Sequence, residues 1–459
     1  MDFGAKALRY AGRDIPVLCR ADCCVAGGGP SGTAAAILAA RRGLKTVLIE
    51  RGVALGGLST LGLVAPFMPT NCAGSETPYV AEVKGRMREH HIEMSDGVTG
   101  CGWSNPEMLA LVYDEMGESA GVETLYHTVL VDALLEERRI RAAVVQTIGG
   151  LRAITADIFI DGTGDAMLAR LAGAPTERGS ERTGRNQPMS FRFEMGGIAL
   201  DRLHAYVAEE MGDTRCRTKP PYFEFAQARH RTQRYRLEEF FWRGVASGEL
   251  TEEDAEYVQA FTIPGKPGTM AMNCPELPPR FSATDPLSYS RAVSYGRAMI
   301  HRLSRYLIRH MPGFENAYIS REAAMLGARE SWRIRGRYYL TEADYYGEAC
   351  FPDAVARTAW YIDAHGERVE APLPEGRFYE IPYRSLVTEE VPNLIVTGRC
   401  ISASFAVQAS MRIQPTCMSL GEAAGVAAAW AFHHGIEVNR LAWAEIPPKA
   451  RSYISAGEG

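Results

Sequence analysis

Asp363 and His365, two positions apart, are the pair in this sequence best suited to moving a proton. In an extended segment, side chains at i and i+2 point the same way, so the carboxylate would orient an imidazole that titrates near neutrality. The plainer alternative is a histidine that serves only the fold. Arg329 and Arg333 stand four apart; on a helix they share one face and could clamp a carboxylate. The alternative there is an ion-pair face with Glu322 and Glu330. Tyr383, Arg384 and Arg399 are further polar groups beside the last predicted strand, and each is a candidate for contact with a substrate.

These groups need a cofactor to act beside, and its signal lies far upstream. Residues 23–50 run from a short apolar stretch through Gly27, Gly29 and Gly32 into alanines, then into a second apolar run ending at Glu50. The order is strand, turn, helix, strand, with a dinucleotide on the turn. Gly27 turns the chain off the strand, Gly29 removes a Cβ that would hold a pyrophosphate away, and Gly32 lets the helix pack on the sheet. The helix N-terminus then meets the phosphates. Glu50, 23 positions after Gly27, is placed for ribose hydroxyls and argues against a 2′-phosphate, so FAD or NAD is preferred over NADP.

Bulk properties bound the rest. A chain of 459 residues exceeds one ordinary core, which predicts two or three domains. With 46% hydrophobic and 23% charged residues it reads as globular, and a net charge of −5 gives no reason to expect nucleic acid as a partner. No signal-peptide core and no apolar run of membrane-helix length is seen, so no membrane is expected. Ten scattered cysteines without a CxxC pair fit a cytoplasmic location. No metal is expected.

Along the chain, Gly56, Gly57, Ser59 and Thr60 form a loop whose N–H groups and hydroxyls could hold a phosphate or a ribityl chain. Helices are predicted over 78–91 and from Asn105, with Asn as N-cap and Pro next. Residues 121–147 alternate as a strand, a hairpin near 136–139 and a strand. A strand over 156–160 runs into a second glycine turn, Gly162 and Gly164. The middle, 174–386, carries predicted helices over 222–247 and 285–310 between Pro/Gly-rich linkers. A strand over 393–398 ends at Gly398, and a helix of small residues starts at Pro415.

Taken together, the turn at 27–32, the loop at 55–60, the strand at 393–402 and the helix at 421–428 resemble the FAD-dependent oxidoreductase family of the glutathione-reductase-like flavoprotein superfamily. The stretches 326–340, 361–365 and 381–384 also look like family signatures. The resemblance implies an α/β fold: a Rossmann-like FAD-binding domain with a central parallel sheet, made of 1–173 and 387–459, and an α+β substrate domain inserted over 174–386. It implies that the opening turn and Glu50 hold the ADP half, that Gly56, Gly57, Ser59 and Thr60 follow pyrophosphate and flavin, and that backbone near Leu130 faces adenine. Gly162 and Gly164 would approach the cofactor, with Gly398 under the ribityl chain. The neighbours Pro30, Ser31, Arg51, Asp165, Arg399 and Arg412 complete the expected contacts. The helix from Pro415 would aim its N-terminus at the flavin's pyrimidine end. Arg399 stands where much of the wider superfamily has Asp, as this branch usually does, and Trp332 departs from the family signature, which often has Arg there.

Only one GxGxxG-type turn is present, so flavin is the expected resident and no second dinucleotide domain is foreseen. The expected activity is hydride transfer between flavin N5 and a small hydroxylated or carboxylated metabolite, with an unidentified electron donor or acceptor. The alternative is a non-redox flavoprotein, such as a flavin-dependent hydratase, a lyase or an RNA-modifying relative.

Overall fold

The computed structural model describes residues 7–68, 75–90, 95–96, 102–212, 223–228, 237–365 and 372–453. Cys23–Ala26 (β1) is buried on both faces, as a parallel strand covered above and below must be. The glycine turn leads into Pro30–Arg41 (α1), whose first position holds a proline that has no N–H to waste, and then into Thr46–Ile49 (β2). Glu123–Leu125 (β3) and Ile158–Asp161 (β4) follow. The chain then builds Phe193–Gly196 (β5), Glu224–Ala228 (β6), Tyr257–Thr262 (β7), Met270–Met272 (β8), the long helix Pro286–His310 (α2) and Tyr318–Glu322 (β9). It comes back with Leu394–Val396 (β10) and the helix Gln414–His434 (α3).

The strands β10, β4, β1, β2 and β3 lie in that order and all pair in parallel. Register aligns Asp161 with both Ala26 and Val396, so three strands end together and their glycine turns share one edge. In an open parallel sheet that carboxyl edge is where ligands sit. A second sheet, β6-β7-β8-β5-β9, is antiparallel, and its apolar face packs with Met299 and Leu303 of α2 in a separate core. Strands over 129–136 and 139–147 meet in the hairpin foreseen, with Arg139 opposite Glu136.

The main core is a close helix pair on the parallel sheet. A Cβ at Gly421 of α3 would lie 2.0 Å from the Ser31 carbonyl oxygen, and one at Gly425 would lie 2.5 Å from that of Ala35. Only glycine permits that separation, which is why the alanine-rich face of α1 and the small residues of α3 are buried almost throughout. Among the described residues no helix is long and apolar enough to cross a membrane.

Two expectations are corrected. Residues 222–247 are not one helix: 224–228 form β6, because Phe223 and Phe225 are buried with a period of two, and the helix covers only Glu238–Ala246. Tyr222 and 229–236 lie outside the described residues. Arg329 and Arg333 are not on a helix: Trp332–Ile334 is a strand paired with Thr176–Arg178, so sheet pairing overrides the helical spacing. Leu340, Tyr345, Tyr379 and Leu386 join the core of α1 and α3.

Candidate active site and cofactor cavity

A cavity of about 1140 Å³ extends from the carboxyl edge of the parallel sheet, at Gly29 and Gly162, to the antiparallel sheet, at Tyr257 and Asn273. At the first end backbone makes the wall. Gly27 has φ +92°, and a Cβ there would meet Thr163 Cα at 2.7 Å; one at Gly32 would meet the Gly27 carbonyl oxygen at 1.9 Å. These two glycines hold β1, α1 and β4 together, and Gly32 itself does not reach the cavity. Gly29 is different: a Cβ there would find nothing nearer than 3.8 Å, so its backbone opens onto the cavity beside Pro30 and Ser31. The first turn of α1 has no acidic side chain, leaving its N–H groups and positive end for an anion. Glu50 is fixed at the wall by Gly28 N–H on Oε2 (2.7 Å) and Gly52 N–H on Oε1 (2.6 Å), with Arg51 and Leu130 alongside. An anion site at α1 and a carboxylate one strand away fit the pyrophosphate and ribose of FAD.

The loop after Glu50 works differently from expectation. Ser59 Oγ donates to Gly56 O at 2.6 Å and Thr60 Oγ1 to Leu55 O at 2.6 Å, with both side chains buried. The hydroxyls thus hold the loop's own shape. From this loop Gly57, not Gly56, Ser59 or Thr60, reaches the cavity. Gly162, Gly164, Asp165 and Gly398 line it as well. Arg399 pairs with Asp165 at 2.8 Å, and Ser331 Oγ donates to the same carboxylate at 2.6 Å. Burial pushes the Asp165 carboxyl up, but Arg399, Ser331 and Arg51 together outweigh it and hold the group below the usual carboxylate range. Arg399, expected both among the substrate groups and at the cofactor, lines the cavity beside Asp165. Pro415 is buried within α3 and does not line the cavity, whereas Gln414 and Cys417 do. The first turn of α3 also lacks an acid, so a second positive helix end faces the cavity.

At the other end side chains make the wall. His365 has a carboxylate at each ring nitrogen: Glu276 Oε2 lies 2.6 Å from Nδ1 and Asp363 Oδ1 3.0 Å from Nε2. That arrangement sets a negative charge beside each ring nitrogen, which favours the imidazolium. Burial and the Arg329 charge push its pKa down, but Asp363 and Glu276 prevail and the net shift is upward. Asp363 is held far below the usual range, because His365, Arg412 and Arg329 outweigh its burial. Arg329 donates to Pro188 O at 2.6 Å and pairs with Glu276 at 3.0 Å; Arg412 pairs with Asp363 at 3.1 Å. Arg412, expected at the cofactor, thus lies against the Asp363–His365 pair. Tyr257 packs edge-on against His365 with ring centroids 6.0 Å apart.

Two expected catalytic residues lie elsewhere. Arg333 is 1% exposed and is consumed by Glu330, by Glu177 at 3.1 Å and by the Ala403 carbonyl at 2.9 Å. Tyr383 donates to Val438 O at 2.8 Å and stacks on Trp443. Neither lines the cavity. Arg384 pairs with Asp353. Sequence reasoning missed Glu276, Tyr257 and Arg192. Only Arg192 left a signal: a cation between Phe191 and Phe193, in a stretch buried on both faces.

No curated protein matches the sequence. Among solved structures, a geranylgeranyl bacteriochlorophyll reductase-like protein from Thermoplasma acidophilum shows 12% identity and a TM-score of 0.41, covering 94% of each chain. The flavin-dependent brominase Bmp2 shows 12% identity and a TM-score of 0.46, over 93% of this chain and 81% of its own. An L-proline dehydrogenase from P. horikoshii shows 13% identity and a TM-score of 0.39, over 93% and 96%. Likenesses this distant carry no functional argument. The family model for FAD dependent oxidoreductases matches residues 22–449, nearly the whole chain, and the protein therefore belongs to that family, with FAD as its cofactor.

Proposed function

We propose that the protein passes a hydride between flavin N5 and a small hydroxylated or carboxylated molecule, with His365 moving the accompanying proton. The observation that carries this reading is the position of His365, held between Glu276 and Asp363 on the wall of the cavity that also contains Gly29. Bound FAD supplies the atom that accepts or gives the hydride. His365 serves as proton donor when a double bond is reduced and, once deprotonated, as acceptor when a hydroxyl is oxidised. Asp363 and Glu276 fix the ring's orientation, and Arg329 and Arg412 keep those carboxylates ionised. Trp103 and Phe261, stacked at 5.7 Å, give the same cavity an apolar wall.

The direction of the pH dependence follows from the groups around the ring: Asp363 and Glu276 raise its pKa, while Arg329 opposes them. Oxidation needs neutral His365 and rises as pH passes its folded pKa; reduction needs imidazolium and falls there. The test is anaerobic. Small hydroxy and unsaturated acids are added to oxidised or dithionite-reduced holoprotein, and flavin absorbance is followed. One chemical class should bleach or restore the flavin, and His365→Gln should keep FAD while losing roughly 10²–10⁴-fold in rate. A flavin that responds to none of them, or a wild-type rate in His365→Gln, overturns the proposal.

A further inference from the structure

Three guanidiniums converge on the His365 end of the cavity, and two of them are matched. Arg329 has Glu276 and Arg412 has Asp363. Arg192 has neither: among the described residues no carboxylate pairs with it, and its Nε and Nη1 find no hydrogen-bond acceptor. It is 9% exposed and it lines the cavity. Backbone fixes its place, because the Arg192 carbonyl accepts from Ala323 N–H at 2.9 Å immediately before β5.

We infer that Arg192 is the anchor for a carboxylate of the substrate, so the hydride-transfer reaction acts on a small carboxylic acid. This rests on the function proposed above and narrows its substrate class. The physical reason is the cost of the resting arrangement. A buried cation without a partner loses its hydration and gains nothing in return. Burial, with Arg329 and Arg412 nearby, pushes the Arg192 guanidinium down to about 9, which still leaves it charged at neutral pH. A protein tolerates such a charge where a ligand supplies the counter-ion. One unmatched guanidinium calls for one negative charge in a planar, two-oxygen group, which is a carboxylate. Tyr257 lies between this anchor and the proposed proton site in one respect only: its ring meets His365, and it lines the same cavity as Arg192. A carboxylate at Arg192 would hold the rest of a small acid toward His365.

Binding decides the matter without turnover. Oxidised holoprotein is titrated with acetate, lactate and succinate, with the corresponding amides, and with inorganic phosphate, by calorimetry and by the shift in flavin absorbance. At least one acid should bind, its amide roughly 100-fold more weakly, as expected for a lost charge-assisted pair. Arg192→Met should lose a similar factor for the acid with FAD content unchanged, and Arg192→Lys should recover part of it. Equal affinity for acid and amide in the wild-type protein overturns the inference, and that comparison needs no variant. So does tighter binding of phosphate than of every acid, or loss of FAD from both variants, which would assign Arg192 to the cofactor. If acids bind through Arg192 but none exchanges electrons with the flavin, the hydride-transfer reading fails while the anchor stands.

Discussion

The two ends of the cavity are built from different material. At the cofactor end, Gly27, Gly29, Gly162 and Gly398 bring strand ends and helix N-termini to the wall, and the side chains that matter mostly hold backbone in place, as Glu50 does for Gly28 and Gly52. At the other end, Glu276, Arg329, Asp363, His365 and Arg412 come from separate stretches of the chain and meet through charged side chains, while Arg192 lines the same cavity with no carboxylate paired to it among the described residues. A backbone site depends on shape and fails when an atom is added. A side-chain site depends on charge balance and fails when a charge is removed.

The largest effect is expected at the charged end. Asp363→Asn leaves His365 and Arg412 each short of a carboxylate in a mostly buried setting, and should cost on the order of 3 kcal/mol of stability. In the wild-type protein the His365 pKa lies above its unfolded value. The stability it contributes is therefore complete below an unfolded pKa of about 6.5 and is lost as pH rises through the folded one. Removing Asp363 lowers the folded pKa, so this pH-dependent portion should shrink and the rising limb of oxidation should move to lower pH. Melting temperatures measured on both sides of the histidine range, with a pH–rate profile, check both points. An unmoved limb would mean that Glu276 alone sets the ring's titration.

The same difference explains what could be read from the sequence. Gly27, Gly29, Gly32 and Glu50 are legible because a backbone cradle has to be made by consecutive residues at fixed spacing. The parallel strands were legible as short buried apolar runs. Asp363 and His365 were legible for the same local reason, since two residues suffice to make the pair. Glu276 left no trace, because its partner is encoded far away and nothing in its neighbours announces it. Arg329 and Arg333 show the opposite error. Their spacing is helical, but Trp332–Ile334 is claimed by pairing with Thr176–Arg178, and so only Arg329 reaches the cavity while Arg333 is buried away from it. Ser59 and Thr60 have the chemistry of phosphate ligands, yet the tight loop around Gly56 takes their hydroxyls for itself.

A smaller effect, at the backbone end, is expected from Gly32→Ala. The added Cβ would stand 1.9 Å from the Gly27 carbonyl oxygen, and neither α1 nor β1 can yield without moving the turn between them. A stability loss of about 1–3 kcal/mol is expected, together with loss of FAD on dialysis, while the charged cluster beyond stays intact. Flavin content after purification and the melting temperature of the apoprotein separate the two consequences. If Gly32→Ala retains FAD with wild-type affinity, the cradle is less dependent on backbone contact than its geometry requires.

The smallest effect tests a residue that belongs to neither end. Tyr383 is fully buried, with its hydroxyl on the Val438 carbonyl and its ring on Trp443. Tyr383→Phe keeps the ring and deletes one hydrogen bond, and the Val438 carbonyl retains the Leu441 N–H at 3.4 Å, so the cost should be about 1 kcal/mol. Rate, pH profile and FAD content should all match wild type, with only a small drop in melting temperature. A changed pH profile instead would mean that the core around α3 transmits its packing to Arg412 at the foot of that helix, and that the two ends of the cavity are not independent.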